Sequence, residues 1–210
     1  MNYQVGYLIE RILSVIIVIL LTPVFLIIGL LIRIDSTGQV YVMQKRWGKS
    51  KKIFNIYKFR TMIKGADELQ KTSKYQKLNE ADGPVFKIRD DPRYTRFGRL
   101  LAHTGLDELP QLINIIKGEM AFVGPRPLPV DEAKRVPKKY EKRFSVLPGI
   151  TSSWVVKGAH NLSFSRWMEL DVEYVENKNF QADFNIGVST VILMIKQLLR
   201  KLNLFNKQIN

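Results

Sequence analysis

The sequence predicts an α+β fold of unequal parts: an N-terminal membrane helix (re-entrant, or kinked and spanning), a small β-hairpin, and a mostly helical domain bearing interfacial amphipathic helices. Three observations lead there. Residues 12–32 are apolar with few interruptions, long enough to cross a bilayer. Residues 39–44 and 52–57 alternate as two short strands should, with Trp47 and Gly48 in the connection. Beyond them apolar residues recur at helical spacing in several stretches. The chain of 210 residues has room for one compact domain beside the anchor, so we divide it into an anchor, 1–34, and a membrane-associated domain, 35–210.

Within the apolar run, Pro23 removes a helical hydrogen bond, so a bend or break is expected at Thr22 and Pro23. A cleaved signal peptide fits less well, because the run is long and no small-residue cleavage site follows it. After it come Arg33, Lys45, Arg46, Lys49, Lys51, Lys52, Lys58, Arg60 and Lys64 against the single acid Asp35. That is the flank of a membrane helix on its cytoplasmic side. The net charge of +14 calls for a polyanionic partner such as lipid head groups or phosphorylated substrates. Charge alone would also admit a membrane-tethered nucleic-acid binder. The basic run is juxtamembrane and no recognition motif is present, so no nucleic-acid partner is expected.

Residues 66–76 read as a polar helix and 79–84 as a loop. Asp90, Asp91 and Pro92 read as a turn in preference to a metal pair. Arg93, Arg96 and Arg99, spaced by threes, are expected on one side of a helical turn, facing phosphates. Residues 130–144 read as a charged helical stretch, Pro148-Gly149 as a turn, and 163–175 as a helix with Trp167, Leu170 and Tyr174 in the core. Near the C-terminus Val188, Val191, Ile192, Ile195, Leu198, Leu199 and Leu202 form an apolar stripe opposite Lys196, Arg200 and Lys201, as an interfacial helix would.

Residues 106–127, LDELPQLINIIKGEMAFVGPRP, bring two acids, one helix and one arginine turn together. Pro110 fits only a first helical turn, which puts Asp107 and Glu108 at or just before the N-terminus. Leu109, Leu112, Ile113 and Ile116 are the expected buried face, and Gly118 the end. Acids at such a position commonly cap the helix, so the pair alone does not assign a function. No cysteine is present, and His103 and His160 are the only histidines, so thiol chemistry is excluded and any metal should be a hard one on oxygen ligands.

This block resembles the signature of the bacterial sugar transferases, the monotopic polyprenol-phosphate phosphoglycosyl transferases. YKFRTM at 57–62, GPVFKIRDDPRYTRFGR at 83–99, LPGIT at 147–151 and ELDVEYV at 169–175 agree in order. The resemblance implies transfer of a sugar 1-phosphate from a UDP-sugar to undecaprenyl phosphate, with release of UMP, as the first membrane step of lipid-linked glycan synthesis (exopolysaccharide, capsule, O-antigen or glycoprotein). It implies Asp107 as nucleophile, Glu108 with Asp107 as Mg²⁺ ligands, and phosphate contacts from Arg126, Lys58, Arg60, Arg96 and Arg99. It also implies a helix turned back at Thr22-Pro23, a catalytic domain facing the cytoplasm at the bacterial inner membrane, contact with membrane lipids, and downstream glycosyltransferases as partners. The chain departs from the family pattern at Ala102, where an arginine is common, and in the segment SSWVVKGAH at 152–160. These departures leave the donor sugar open and motivate an alternative, a catalytically weak scaffold for another transferase.

Overall fold

The apolar N-terminal segment forms one long helix, α1 (Tyr3–Asp35), in a computed structural model that describes the backbone of residues 3–158 and 162–209 and the side chains of residues 4–158 and 162–200. Helical structure is not interrupted at Pro23, and the Thr22 hydroxyl donates to Val18 O at 2.9 Å. One face of α1, made of Ile17, Val18, Leu21, Phe25, Ile28 and Ile32, packs into the apolar clusters of the domain. Leu20, Leu26 and Leu30 on other faces are exposed. Both ends of α1 are bonded to the domain: Glu10 Oε2 accepts from Phe122 N at 2.8 Å, and Asp35 Oδ2 accepts from Phe97 N at 3.0 Å.

The expected hairpin is present and longer than its alternation suggested. Strands β1 (Tyr41–Trp47) and β2 (Ile53–Phe59) pair antiparallel from Tyr41↔Phe59 to Trp47↔Ile53. Trp47 therefore ends a strand and does not sit in the connection; its ring packs edge-on against Phe144 and its backbone N–H donates to Leu128 O. Next come α2 (Ala66–Gln70) and α3 (Ser73–Gln76), two short helices where one was expected. Residues 79–84 form a loop, and the turn at Asp90 to Pro92 is as read from the sequence.

Thr95 caps α4 (Arg96–Thr104) by accepting from Gly98 N at 3.0 Å, and Gly105 ends it with φ of 75°, a backbone angle that suits glycine. The acid pair does not open a regular α-helix. It lies in a 3-10 helix, Leu106–Gln111, that passes into the short α5 (Leu112–Ile116). Leu112 and Ile115 are the buried apolar residues, with Asn114 between them, whereas Ile113 and Ile116 are only half buried.

Strand β3 (Ala121–Val123) pairs parallel with β4 (Gly149–Thr151). Pro148-Gly149 thus leads into a strand instead of making an isolated turn. The charged stretch is divided into α6 (Val130–Ala133) and a second 3-10 helix, Lys138–Ser145, because Pro137 disfavours helical geometry at Val136. Then follow α7 (Ser153–Val156), α8 (Phe164–Asn177) and α9 (Phe180–Ile209). Ser163 caps α8, and Trp167, Leu170 and Tyr174 are buried as expected. Along α9, Val188, Val191, Ile192, Ile195 and Leu199 are exposed, and the side chain of Leu202 lies outside the described residues. Among the described residues, α1 and α9 are long and apolar enough to cross a membrane.

Candidate active site

The 3-10 turn after Gly105 pushes Asp107 and Glu108 into a cavity of about 1910 Å³. Strand β2 lies across from it and supplies Lys58. The register between strand and turn is fixed by Asn114: its Oδ1 accepts from Tyr57 N at 3.1 Å and its Nδ2 donates to Asn55 O at 2.7 Å. Asn114 was not singled out from the sequence, although a fully buried amide inside the apolar run LINII is itself a signal.

Lys58 Nζ donates to Glu108 Oε1 at 2.7 Å and stands 3.6 Å from Asp107 Oδ2. Arg126 Nη2 donates to the same Glu108 oxygen at 2.9 Å. Two cations are thus committed to Glu108, while Asp107 has only a looser ion pair. Burial pushes the Asp107 carboxyl up to about 6, with Glu108 adding to the effect and Lys58 and Arg126 opposing it. Burial acts the same way on Glu108, but Arg126 and Lys58 outweigh it and hold that carboxyl well below the usual range. The Arg126 side chain keeps 36% of its surface open, so a ligand in the cavity can reach it.

Arg126 is held from both sides. Its carbonyl accepts from Arg143 Nη2 at 2.7 Å, and Pro127 O accepts from Arg46 Nη1 at 3.1 Å. Arg143 is ion-paired with Asp171 at 2.8 Å, both side chains 1% exposed. The strand leading into the turn is tied to α8 through the Tyr174 hydroxyl, which donates to Val123 O at 3.0 Å. Gly124 lets the segments close up: a Cβ there would lie 2.5 Å from Leu147 O. The ELDVEYV motif is thereby explained as a brace for the arginine turn, a role the sequence alone did not reveal.

Of the other expected phosphate contacts, Arg60 lines the cavity and Arg96 and Arg99 do not. The Arg60 guanidinium donates to the carbonyls of Ile32, Ser36 and Thr37 and so caps the C-terminal end of α1. Arg96 and Arg99 are exposed on α4, whose buried face is Gly98, Leu101 and Thr104, and neither lines the cavity. Arg93 is buried in a bidentate pair with Asp91. Ala102 and His103 both line the cavity, with His103 Nε2 3.4 Å from Arg89 O. Of the unusual segment at 152–160, Ala159 and His160 lie outside the described residues.

A hard cation would find two adjacent carboxylates here and, among the described residues, no cluster of three or more His, Cys, Asp or Glu side chains. Such a donor set would suit an Mg²⁺ that takes most of its ligands from substrate phosphates and water, and Glu108 and Asp107 are the residues that would hold it. When bound it would supply charge neutralisation at those phosphates.

The profile of the family described as bacterial sugar transferase matches residues 1–197. The chain belongs to the bacterial sugar transferase family. Among relatives of this sugar transferase, the exopolysaccharide production protein ExoY of Sinorhizobium fredii is 34% identical over 186 residues, which is 87% of this chain and 81% of that protein. The galactosyl transferase CpsE of Streptococcus agalactiae is 36% identical over 159 residues, 75% of this chain. The undecaprenyl-phosphate galactose phosphotransferase of Salmonella typhimurium is 32% identical over 192 residues, 88% of this chain. The match spans 35% of CpsE and 39% of the Salmonella protein, so this chain covers little more than a third of each of those relatives.

Proposed function

We propose that the protein transfers a sugar 1-phosphate from a UDP-sugar to undecaprenyl phosphate at the cytoplasmic face of the bacterial inner membrane. The observation that carries this reading is the unequal commitment of the two acids. One oxygen of Glu108 accepts from both Lys58 and Arg126, while Asp107 is buried, raised in pKa and without a hydrogen bond from either cation. An Asp107 oxygen attacks the sugar-bearing phosphorus of the donor, the bond to the bridging oxygen breaks, and UMP leaves. A phosphate oxygen of the lipid then attacks the same phosphorus, the acyl phosphate bond breaks, and the Asp107 carboxylate returns. Repulsion between an anionic nucleophile and a diphosphate is the chief barrier, and Lys58 and Arg126 are positioned to lower it. Family membership and the names of the relatives support the substrate class.

A membrane seat follows from α1 and the exposed apolar face of α9. In this reading α1 either re-enters or spans the bilayer; the bonds of Glu10 and Asp35 to Phe122 and Phe97 support an α1 held against the domain along its length. The reading is tested by incubating detergent- or nanodisc-held protein with Mg²⁺, undecaprenyl phosphate and a panel of UDP-sugars. Lipid-dependent UMP formation from one sugar, lost in Asp107→Asn, is the expected result. Silence from folded protein across the panel would favour the scaffold alternative.

A further inference from the structure

One carboxylate in the cavity wall is left unused by the transfer chemistry. Glu132, on α6, lines the cavity six residues after Arg126, whereas its neighbour Asp131 is exposed and lies outside it. The segment is seated by the buried Ala133 and by Arg46, which donates to Pro127 O at 3.1 Å just ahead of α6. Glu132 Oε1 accepts from Phe86 N at 3.3 Å, and its Oε2 makes no hydrogen bond or ion pair with a described residue. Burial raises this carboxyl above its ordinary 4.5, against the opposing pull of the Phe86 N–H, Arg46, Arg135 and Arg126. Tethering of residues 84–86 does not account for it, because Arg135 Nη2 already donates to Pro84 O at 2.7 Å, a shorter bond from just beyond α6. Arg46 and Arg126 each feel the charge of both Glu132 and Glu108, which sets Glu132 beside the phosphate end of the cavity. Val85, Phe86, Leu128 and Trp154 make the adjoining wall apolar.

We propose that Glu132 is a specificity-determining residue for the donor: its Oε2 accepts a hydrogen bond from a hydroxyl that flanks the diphosphate, on the transferred sugar or on the ribose. The proposal rests on the transferase reading above. A carboxylate repels the phosphates themselves, and the neutral hydrogen-bond donors next to them in a nucleotide sugar are hydroxyls. Holding a carboxylate out of water without an ion pair is unfavourable, and a bound hydroxyl offsets that cost.

The test is a cycle of residue against substrate, run on the full chain in nanodiscs with Mg²⁺ and undecaprenyl phosphate. Wild type, Glu132→Gln and Glu132→Ala are each given the UDP-sugar that supports turnover and analogues of it lacking one hydroxyl, on the sugar or on the ribose. Glu132→Gln keeps an oxygen for Phe86 N, so a mere tether would behave as wild type in that variant. With the intact donor, kcat/KM should fall about tenfold in Glu132→Gln. One deoxy analogue should cost the wild type about as much and cost either variant less than about twofold, and its missing hydroxyl names the sugar or the ribose as the source. Intact-donor kinetics of Glu132→Gln within about twofold of wild type would overturn the proposal, as would losses that multiply for every analogue. So would a wild type indifferent to every deoxy analogue, a result that needs no variant. Absence of turnover in the wild type with any UDP-sugar would defeat the transferase reading, and this proposal with it.

Discussion

Asp107 and Glu108 are neighbours in sequence and opposites in environment. Glu108 spends one oxygen on two cations, whereas Asp107 carries the cost of burial with one ion pair at 3.6 Å. Replacing Asp107 by Asn should therefore abolish UMP release, by on the order of 10³-fold or more, while the protein stays folded. The same burial has a sign in stability. The carboxyl titrates near 6 in the folded chain against an ordinary 3.8, so the folded state binds its proton more tightly. In metal-free buffer the wild type should lose stability relative to Asp107→Asn as pH rises from about 4 to about 6, by on the order of 3 kcal/mol, and the difference should be level on either side. Urea unfolding of both proteins across that range with a chelator present checks this. Arginine identities in the sequence could not tell Arg126 from Arg60: both line the cavity, and only long-range packing commits one to Glu108 and the other to the C-terminal carbonyls of α1.

At the scale of elements, Arg60 is the joint between α1 and β2, the strand that carries Lys58. Arg60→Met should lower thermal stability by about 1–3 kcal/mol through orphaned carbonyls, and leave KM for the donor within about twofold of wild type. A large rise in donor KM at unchanged stability would return Arg60 to the phosphate site. The Arg143–Asp171 pair is the second joint. Removing one partner, as in Asp171→Ala, leaves a buried charge and should destabilise the fold by about 3–5 kcal/mol, read from the urea midpoint. The hairpin, α8 and the apolar α1 were legible because their patterns are local, in alternation, capping and hydropathy. The β3–β4 pairing, the division of residues 66–76 and the 3-10 geometry at the acids were not. They depend on a parallel partner 28 residues away, on loop packing, and on the Gly105 turn.

At the scale of the whole molecule, the proposed reaction would bring a soluble donor and a lipid acceptor together at one charged cavity in a chain with two long apolar helices, α1 and α9. The chain has no cysteine, so single cysteines report topology cleanly. Gln4→Cys and Thr37→Cys should both be labelled only from the cytoplasmic side if α1 re-enters, and opposite labelling would make it a spanning helix. The central claim, that Asp107 carries the sugar phosphate, is tested most directly by mass spectrometry of protein given UDP-sugar and Mg²⁺ without lipid. A sugar-phosphate adduct is expected on the peptide containing Asp107, discharged by undecaprenyl phosphate and absent from Asp107→Asn. UMP release with that peptide unmodified, or an adduct on another residue, would contradict it.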